Sequence, residues 1–584
     1  MSACDVLILA SGTPDECAEA AMAAKAIGGV TVCGPDDSQI REAVEGAGAS
    51  YEACEGRTPA WIADYALERA GGDAPWILVL TSEERVTPAL AAQIAGLDES
   101  SPARGYAITT RTLFMGKALS RGGFGPRRRL RVIRRGCATL GWWKGEPVLE
   151  PEAPDMDSGA GLGAGPAGKP VVGRLGGQIL RVLDMPAREL LGRWIEQTDE
   201  ETVLAQRGMQ RGETLGVGVG RRFGATLHFV RRYIFQAGFL EGRAGFHRAM
   251  LEANRKYIAR MLLDERMSLV PHEPADPETV YGKEVSAQKQ PAPGWEDPPQ
   301  PDPSLGLHPV SVLILTKDEE INIADCIARL SFSDDIVVYD SLSTDRTVEI
   351  AKGLPNVRVI SRKFDNWSAH QNWAVRNIEF KHAWVLYVDA DERVTPRLAK
   401  EIMERCATEA PENALRMRRK DIFMGRWIKH AQLYPTWIIR VFRPGMIRYE
   451  RLVNPVAIVE GTVGDLEKHL IHYPFSKGIV HWFERHNSYS GFEAEEQLKV
   501  QGGRRRPIRH AFSKDPNVRR AALKDMFYRL PMRAEVKWLY YVIWRRAFLD
   551  GRAGMTYARL QSIYEHMIRI KADELRKRRS GEQI

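Results

Sequence analysis

The chain has 584 residues, of which 44% are hydrophobic, 27% charged and 8% aromatic, a composition that excludes a wholly disordered, collagen-like or disulfide-stapled protein. Its formal charge of +8 is small for this length and does not by itself indicate nucleic acid; the excess is local, since residues 501–584 hold 21 basic and 8 acidic residues. Seven cysteines, scattered and free of any C-x-x-C pair, argue against a disulfide framework or a zinc site and suit a reducing compartment.

The first residues lack the charged start and apolar core of a signal peptide, and no run approaches the ~18–20 apolar residues that cross a bilayer. A cytoplasmic protein is expected, at most peripheral on the cytoplasmic face of the inner membrane. Further along, the chain repeats itself. WILVLTSEERVTP (76–88) answers WVLYVDADERVTP (384–396) at an offset of 308, while FMGK (114–117), LRVIRRG (130–136) and FLEGRAG (239–245) answer FMGR, IRVFRPG and FLDGRAG at 309. Between the last two matches the register slips to about 290, with a Gly/Ala-rich insertion near 151–170 in the first copy and a compensating stretch near 501–520 in the second. Nine prolines between 271 and 303 read as an extended linker. The expected organisation is a first sheet domain over 1–185, its helical tail over 186–265, the linker over 266–308, a second sheet domain over 309–500 and a basic helical region over 501–584.

In the second copy VSVLIL (310–315), DIVVYD (335–340), VRVIS (357–361) and AWVLYVD (383–389) read as buried strands alternating with helical segments, which predicts an α/β, Rossmann-like and mainly parallel sheet with its ligand site at the carboxyl ends of the strands. The polar motifs fall at those ends. Strand alternation sends the carboxylates of Asp389 and Asp391 to one side, a pairing suited to Mg²⁺ or Mn²⁺ that also holds a diphosphate.

Thr316-Lys-Asp-Glu-Glu320, Asp340-Ser-Leu-Ser-Thr-Asp345, Ser368-Ala-His-Gln-Asn-Trp-Ala374 and Val388-Asp-Ala-Asp-Glu392, continued by FMGRWIKH (423–430), RYERLVNP (448–455) and HWFERHNSYSGFEAEE (481–496), resemble the motif succession of family 2 glycosyltransferases of the GT-A fold. The resemblance is strongest to bacterial enzymes of lipopolysaccharide core and exopolysaccharide. It implies two GT-A-like domains, each with a helical tail, and an inverting, metal-dependent transfer from a nucleotide-sugar to a glycan or glycolipid acceptor. It further implies that Thr316, Asp318, Glu319, Asp340, Gln371 and Asp389 meet the nucleotide-sugar and that Asp389, Asp391 and His472 meet the metal. The family's usual acidic residue is missing at Asn454-Pro455-Val456, which leaves Glu450 and Glu460 as candidate general bases. Leu342 stands where the family commonly has glycine.

By the internal offsets Asp389 corresponds to Thr81, Asp391 to Glu83, Asp340 to Cys33, His472 to Arg181 and His486 to Thr198. The first copy is therefore expected to be a non-catalytic sheet domain. In the basic tail, Trp538, Tyr541, Trp544 and Phe548 recur at three- and four-residue spacing among Arg533, Lys537, Arg545, Arg546 and Arg552, which suits either an interfacial helix on an anionic membrane or packing on the sheet domain with solvated cations. A glycan-binding scaffold without catalysis is the alternative function. A nucleic-acid binder is set aside for want of a binding motif.

Overall fold

The computed structural model describes residues 3–10, 13–54, 66–143, 146–151, 171–183, 186–210, 224–269, 310–408, 411–450, 455–502, 507–530 and 532–580. Most of the Gly/Ala insertion, most of the expected linker, and residues 451–454 and 503–506 lie outside them. The chain divides into a first unit (1–268, 491–498 and 569–584) and a second (269–490 and 499–568).

In the first unit β1 (Cys4–Leu9), β2 (Val30–Gly34), β3 (Ser50–Ala53), β4 (Trp76–Thr81), β5 (Glu84–Val86), β6 (Gly105–Phe114), β7 (Lys117–Ala118), β8 (Arg127–Arg134) and β11 (Val172–Val182) form one sheet, while β9 (Ala138–Trp143) pairs with β10 (Glu146–Pro151). The order is β3-β2-β1-β4-β8-β6-β11-β5, with β7 on β6. The second unit repeats it. There β12 (Val310–Thr316), β13 (Ile336–Asp340), β14 (Val357–Ser361), β15 (Trp384–Asp389), β16 (Glu392–Arg393), β17 (Glu412–Phe423), β18 (Arg426–Trp427), β19 (Thr436–Phe442) and β22 (Thr462–His472) run β14-β13-β12-β15-β19-β17-β22-β16, with β18 on β17 and a hairpin of β20 (Ile447–Glu450) and β21 (Val456–Val459). Each unit is thus an α/β domain built on the same strand order. Each sheet is mixed: the first four strands in this order are parallel, and the next strand, β8 or β19, enters antiparallel.

The local reasons are readable. β12 is apolar apart from Ser311 and Thr316 because both faces are covered: Val310, Val312 and Ile314 join Leu398 and Ile402 of the helix Pro396–Ala407, while Leu313 and Leu315 join Ala374 and Val375 of the helix Trp367–Asn377. The repeated FMG motif is a turn. Met115 and Gly116 (φ 53° and 72°) and Met424 and Gly425 (φ 52° and 65°) adopt the two consecutive left-handed conformations of a type I′ hairpin.

Behind each sheet a helical tail also repeats. Residues 231–235 and 540–544 are single π-helical turns, and each precedes a short 3₁₀ turn and a long helix, Gly242–Leu269 or Gly551–Ser580. The first of these helices runs into the expected linker. The GRAG segments open both helices because Gly242 and Gly551 have φ of 63° and 64° and because a Cβ on Gly245 or Gly554 would meet a carbonyl oxygen at 2.1 Å. One buried carboxylate per copy ties the tail to the sheet. Glu241 Oε1 accepts from Ser120 N (2.9 Å), Ser120 Oγ (2.7 Å) and Arg121 N (3.0 Å). Asp550, at the matching position, accepts from the His430 and Ala431 amides (2.9 and 2.8 Å) and from His430 Nδ1 (2.7 Å).

Glu241→Ala and Asp550→Ala each strand two or more donors, a loss of about 2–3 kcal/mol, which calorimetry should register as a melting point lower by roughly 5–10 °C. For Glu241, burial would raise the pKa, but the bonds from Ser120 and Lys117 hold it at about 2. Its stabilisation is full above the ordinary glutamate value and fades as pH falls toward 2; the gap between wild type and Glu241→Gln should narrow over that range.

Candidate functional site

The site lies at the carboxyl ends of β12, β13 and β15, where apolar strands stop and acidic loops begin. Asp389 ends β15, and its amide donates to Oε2 of Glu392 (3.0 Å), a carboxylate with no solvent exposure. Arg440 on β19 satisfies that charge: its Nη2 donates to Glu392 Oε1 (2.6 Å) and to Asp389 Oδ2 (2.5 Å). The guanidinium also lies 4.3 Å from the Tyr387 ring centroid, and the Tyr387 hydroxyl donates to Asp389 Oδ1 (2.6 Å).

Asp391 faces His472 at the end of β22, with Oδ2 and Nε2 3.3 Å apart, and the other ring nitrogen, Nδ1, meets Asp421 Oδ1 at 2.5 Å. Burial alone would lower the His472 pKa, but the Asp391 carboxylate, helped by Asp421, raises it to about 9. Burial likewise works to raise the Asp391 pKa, and His472 overrides it and holds the carboxyl well below its usual range. The imidazole thus sits between two carboxylates, and a cation bound at Nε2 would take the place of its proton.

Among the described residues no three His, Cys, Asp or Glu side chains converge as a metal cage. Two groups nevertheless have ligand spacing. Neighbouring octahedral ligands at about 2.1 Å from an ion stand about 3 Å from each other, close to the 3.3 Å between Asp391 Oδ2 and His472 Nε2. The Asp421–His472 bond is the arrangement that orients a metal-binding imidazole. One carboxylate and one imidazole, with the remaining positions left to phosphate and water, would suit Mn²⁺ better than the oxygen-preferring Mg²⁺, and Asp389 is bonded to Arg440.

The other predicted residues separate into two groups. Glu319 pairs with Lys477 (2.6 Å) and accepts from Asn322 (2.8 Å); burial raises its pKa, and Lys477 opposes the rise. Asp318 accepts from the Thr344 amide at 2.7 Å. Asp318 and Leu342 both have left-handed backbones, φ 53° and 62°, so leucine adopts here the conformation for which glycine is the unstrained residue. Asp340, Thr316 and Gln371 are buried. Asp340 accepts from Thr316 Oγ1 (3.2 Å), Ser343 N (2.9 Å) and Ser343 Oγ, so its carboxylate shapes the loop. Gln371 donates to the Tyr387 hydroxyl at 3.2 Å. Glu450 and Glu460 are exposed on the β20–β21 hairpin and both pair with Arg448, at 3.5 and 3.8 Å. The hairpin is fixed to the helix Trp367–Asn377 by two bonds between Asn372 and the Tyr449 backbone, each 2.8 Å. Of the segment Asn454-Pro455-Val456, Asn454 lies outside the described residues.

Sequence reasoning passed over Glu392, Arg440, Asp421 and Lys477. The first two carried a signal, since each repeats in the first copy. There the Thr81 amide donates to Glu84 (3.0 Å), and Arg131 pairs with Glu84 (2.8 Å). Strand pairing confirms the correspondence of His472 with Arg181, which sit opposite Glu392 and Glu84 respectively. Trp194 and Trp482 anchor another: Thr198 Oγ1 and His486 Nδ1 each bond the carbonyl four residues back, at 2.6 and 2.7 Å. One correspondence shifts by a residue. Leu9 pairs with Cys33 and Thr81, as Leu315 does with Tyr339 and Asp389, so Asp340 matches Gly34 and not Cys33. In place of the Asp391–His472 pair the first copy has Glu83 bonded to Arg181 (2.8 Å), with Arg193 at 3.9 Å.

The second unit has known relatives. Residues 311–467 match the model of Glycosyl transferase family 2. The lipopolysaccharide core biosynthesis glycosyltransferase LpsC of Rhizobium meliloti (strain 1021) is 26% identical over 208 residues, covering 34% of this chain and 74% of that protein. An uncharacterized glycosyltransferase of Rickettsia typhi is 31% identical over 148 residues, covering 25% of this chain and only half of that relative's length. Among solved structures, residues 1–349 of S. aureus TarS in complex with UDP-GlcNAc align with 47% of this chain and 92% of that one, at 14% identity and a TM-score of 0.23. The chain is a glycosyltransferase that carries a glycosyltransferase family 2 domain at residues 311–467.

Proposed function

We propose that the second unit transfers a sugar, with inversion at its anomeric carbon, from a nucleotide-sugar to a hydroxyl of a cell-envelope glycan, either lipopolysaccharide core or exopolysaccharide. The observation that carries this reading is the Asp391–His472–Asp421 chain, ligand-spaced at the end of a parallel strand. The envelope acceptor is supported by the likeness to the Rhizobium lipopolysaccharide core biosynthesis glycosyltransferase. A Mg²⁺ or Mn²⁺ ion held by Asp391 and His472 would supply charge neutralisation for the diphosphate leaving group. The chain's own residues do the positioning. Asp421 fixes the imidazole so that Nε2 faces Asp391, and Arg440 with Tyr387 sets the Asp389 carboxylate. Asp318, Glu319 and Asp389 offer acceptors to base and ribose, on loops shaped by Thr316, Asp340 and Gln371. The acceptor hydroxyl gives its proton to Glu450 or Glu460 as attack proceeds. The first copy takes no part in the chemistry.

No described helix is long and apolar enough to cross a membrane. The tail stripe expected from sequence divides instead: Tyr541 turns inward, its ring 5.9 Å from that of Tyr557, while Trp544 is 79% exposed beside the exposed Ile543, Phe548 and Leu549. Arg533 and Lys537 are not solvated cations, since both pair with the buried Glu565, at 2.9 and 3.0 Å. The first copy presents the same knuckle, with Phe235 at 81% exposed beside Ile234, Phe239 and Leu240. We infer that the Trp544 knuckle, flanked by Arg545, Arg546 and Arg552, docks on an anionic membrane that carries the acceptor.

Asp391→Asn should remove transferase activity and metal-dependent thermal stabilisation by the donor, whereas Glu83→Gln leaves both; of Glu450→Gln and Glu460→Gln, one should lower kcat at least 100-fold while donor binding persists. Donor binding without turnover on a competent acceptor in the parent protein would favour the scaffold alternative. Arg440→Met leaves the buried Glu392 with only the Asp389 amide (3.0 Å) and the Arg419 guanidinium at 4.0 Å, so thermal unfolding should report a loss of about 3 kcal/mol. Flotation with anionic vesicles should fall for Trp544→Ser with Phe548→Ser; flotation that survives this change removes the knuckle reading.

A further inference from the structure

The first copy contains a cavity of about 110 Å³ whose lining holds seven arginines and only two glutamates. It opens beside Glu83, the position that Asp391 occupies in the second copy. Arg181 comes from the end of β11 and Arg193 from the helix Ala187–Gln210; Arg127 and Arg129 come from β8; Arg232, Arg248 and Arg255 come from the helical tail. Glu83 is bonded to Arg181, and Glu252 accepts from Arg248 at 3.0 Å. Acids outside the lining also take part, since Arg193 pairs with Glu16 and Glu189.

The buried part of this cluster has donors to spare. Arg193 Nη1 and Arg248 Nε are shut away from solvent with no hydrogen-bond acceptor. Their side chains are only 11% and 19% exposed. Arg232 spends Nη1 on two neutral carbonyls, Gly122 at 3.3 Å and Gly123 at 2.7 Å. Phe124 lies against the Arg232 and Arg248 guanidiniums, 4.7 and 5.4 Å from its ring centroid, and holds their planes in place. Burial depresses the pKa values of Arg232 and Arg248, and neighbouring arginines add to the shift while Glu252 opposes it.

The comparison with the second copy shows what changed. At the tail offset of 309, Arg232, Arg248 and Arg255 stand where Tyr541, Tyr557 and Tyr564 stand. Those tyrosines fill their space with ring contacts, Tyr541 to Tyr557 at 5.9 Å and Tyr564 to Trp482 at 6.5 Å. Three rings that pack have become three forked cations around a void, and a fork of fixed N–H donors matches the oxygens of a phosphate better than any other common group.

We propose that this cavity is a binding site for a phosphate group, carried by a phosphorylated sugar of the acceptor or by a free diphosphate. The site belongs to the first copy alone and does not rest on the donor reading of the second. Titration calorimetry of the full chain in EDTA, with pyrophosphate, glucosamine 6-phosphate and UDP as probes, tests it. At least one probe should bind at one site per chain. Its Kd should weaken tenfold or more in Arg248→Gln and in Arg193→Gln and remain unchanged in Asp391→Asn. Tighter binding of the sugar phosphate assigns the group to a glycan, and tighter binding of pyrophosphate or UDP assigns it to a free diphosphate. Arg127→Gln, an exposed change at the rim that keeps the buried packing, should weaken binding several-fold and serves if the buried variants fail to fold. Absence of binding by all three probes at millimolar concentration overturns the proposal. So does binding that is indifferent to these arginines or abolished by Asp391→Asn.

Discussion

A carboxylate with no access to water must be paired, and in this chain that requirement is met in the same way twice. Glu392 and Glu84 each sit just beyond the fourth parallel strand, accept the amide of that strand's last residue and bond an arginine on the adjacent antiparallel strand. Breaking such a pair leaves a bare charge in the protein interior, which costs more than the intact pair contributes. The strand end is therefore fixed by electrostatics as well as by apolar packing. Everything chemical in the second unit is placed relative to it: the same Nη2 of Arg440 that bonds Glu392 reaches Asp389, and Asp391 projects between them toward His472.

Because the fixed pair lies beneath the reactive groups, the groups above it are free to change. In the first copy Thr81 replaces Asp389, so Arg131 has only the glutamate to hold, and Arg181 replaces His472 without disturbing β11. Conversion of a carboxylate–imidazole pair into a glutamate–arginine pair removes a place for a cation. The replacement of tail tyrosines by arginines carries the change further, since it leaves a void lined by positive charge. A domain can exchange a site for cations for a site for anions while keeping every strand, because the sheet depends on none of the exchanged residues.

That separation also explains which features could be read in the sequence. Strands such as VSVLIL and WVLYVD declare themselves by composition, since both faces are buried, and the repeated FMG motif announces a turn that only a few residues can make. Motif order located the Asp389–Asp391 end of β15. Partners supplied from distant strands were harder to locate: Asp421 stands in the basic run RMRRKDIF with nothing local to mark it, and Arg440, although the internal repeat carries it as Arg131, gains its role from its neighbours in the folded sheet. Residue-level alignment of the copies slipped at Asp340 because the loops between the early strands differ in length, and the pairing register is what restores it. The mixed character of each sheet was hidden for a related reason: direction is set by the connection between strands, and a strand's composition does not encode it.

The tail departs from its sequence pattern through a single device. A regular α-helix would keep residues at three- and four-residue spacing on one face, which is why Trp538, Tyr541, Trp544 and Phe548 read as one stripe. A π turn takes more residues per revolution, so the face rotates as the chain passes through it. Tyr541 is then directed into the fold and Trp544 away from it, and in the first copy Arg232 and Phe235 divide in the same manner. The turn recurs at 231–235 and 540–544 even though the residues inside it differ. It is thus a property of the shared scaffold, and the one turn serves both an inward position, tyrosine or arginine by copy, and an outward apolar knuckle.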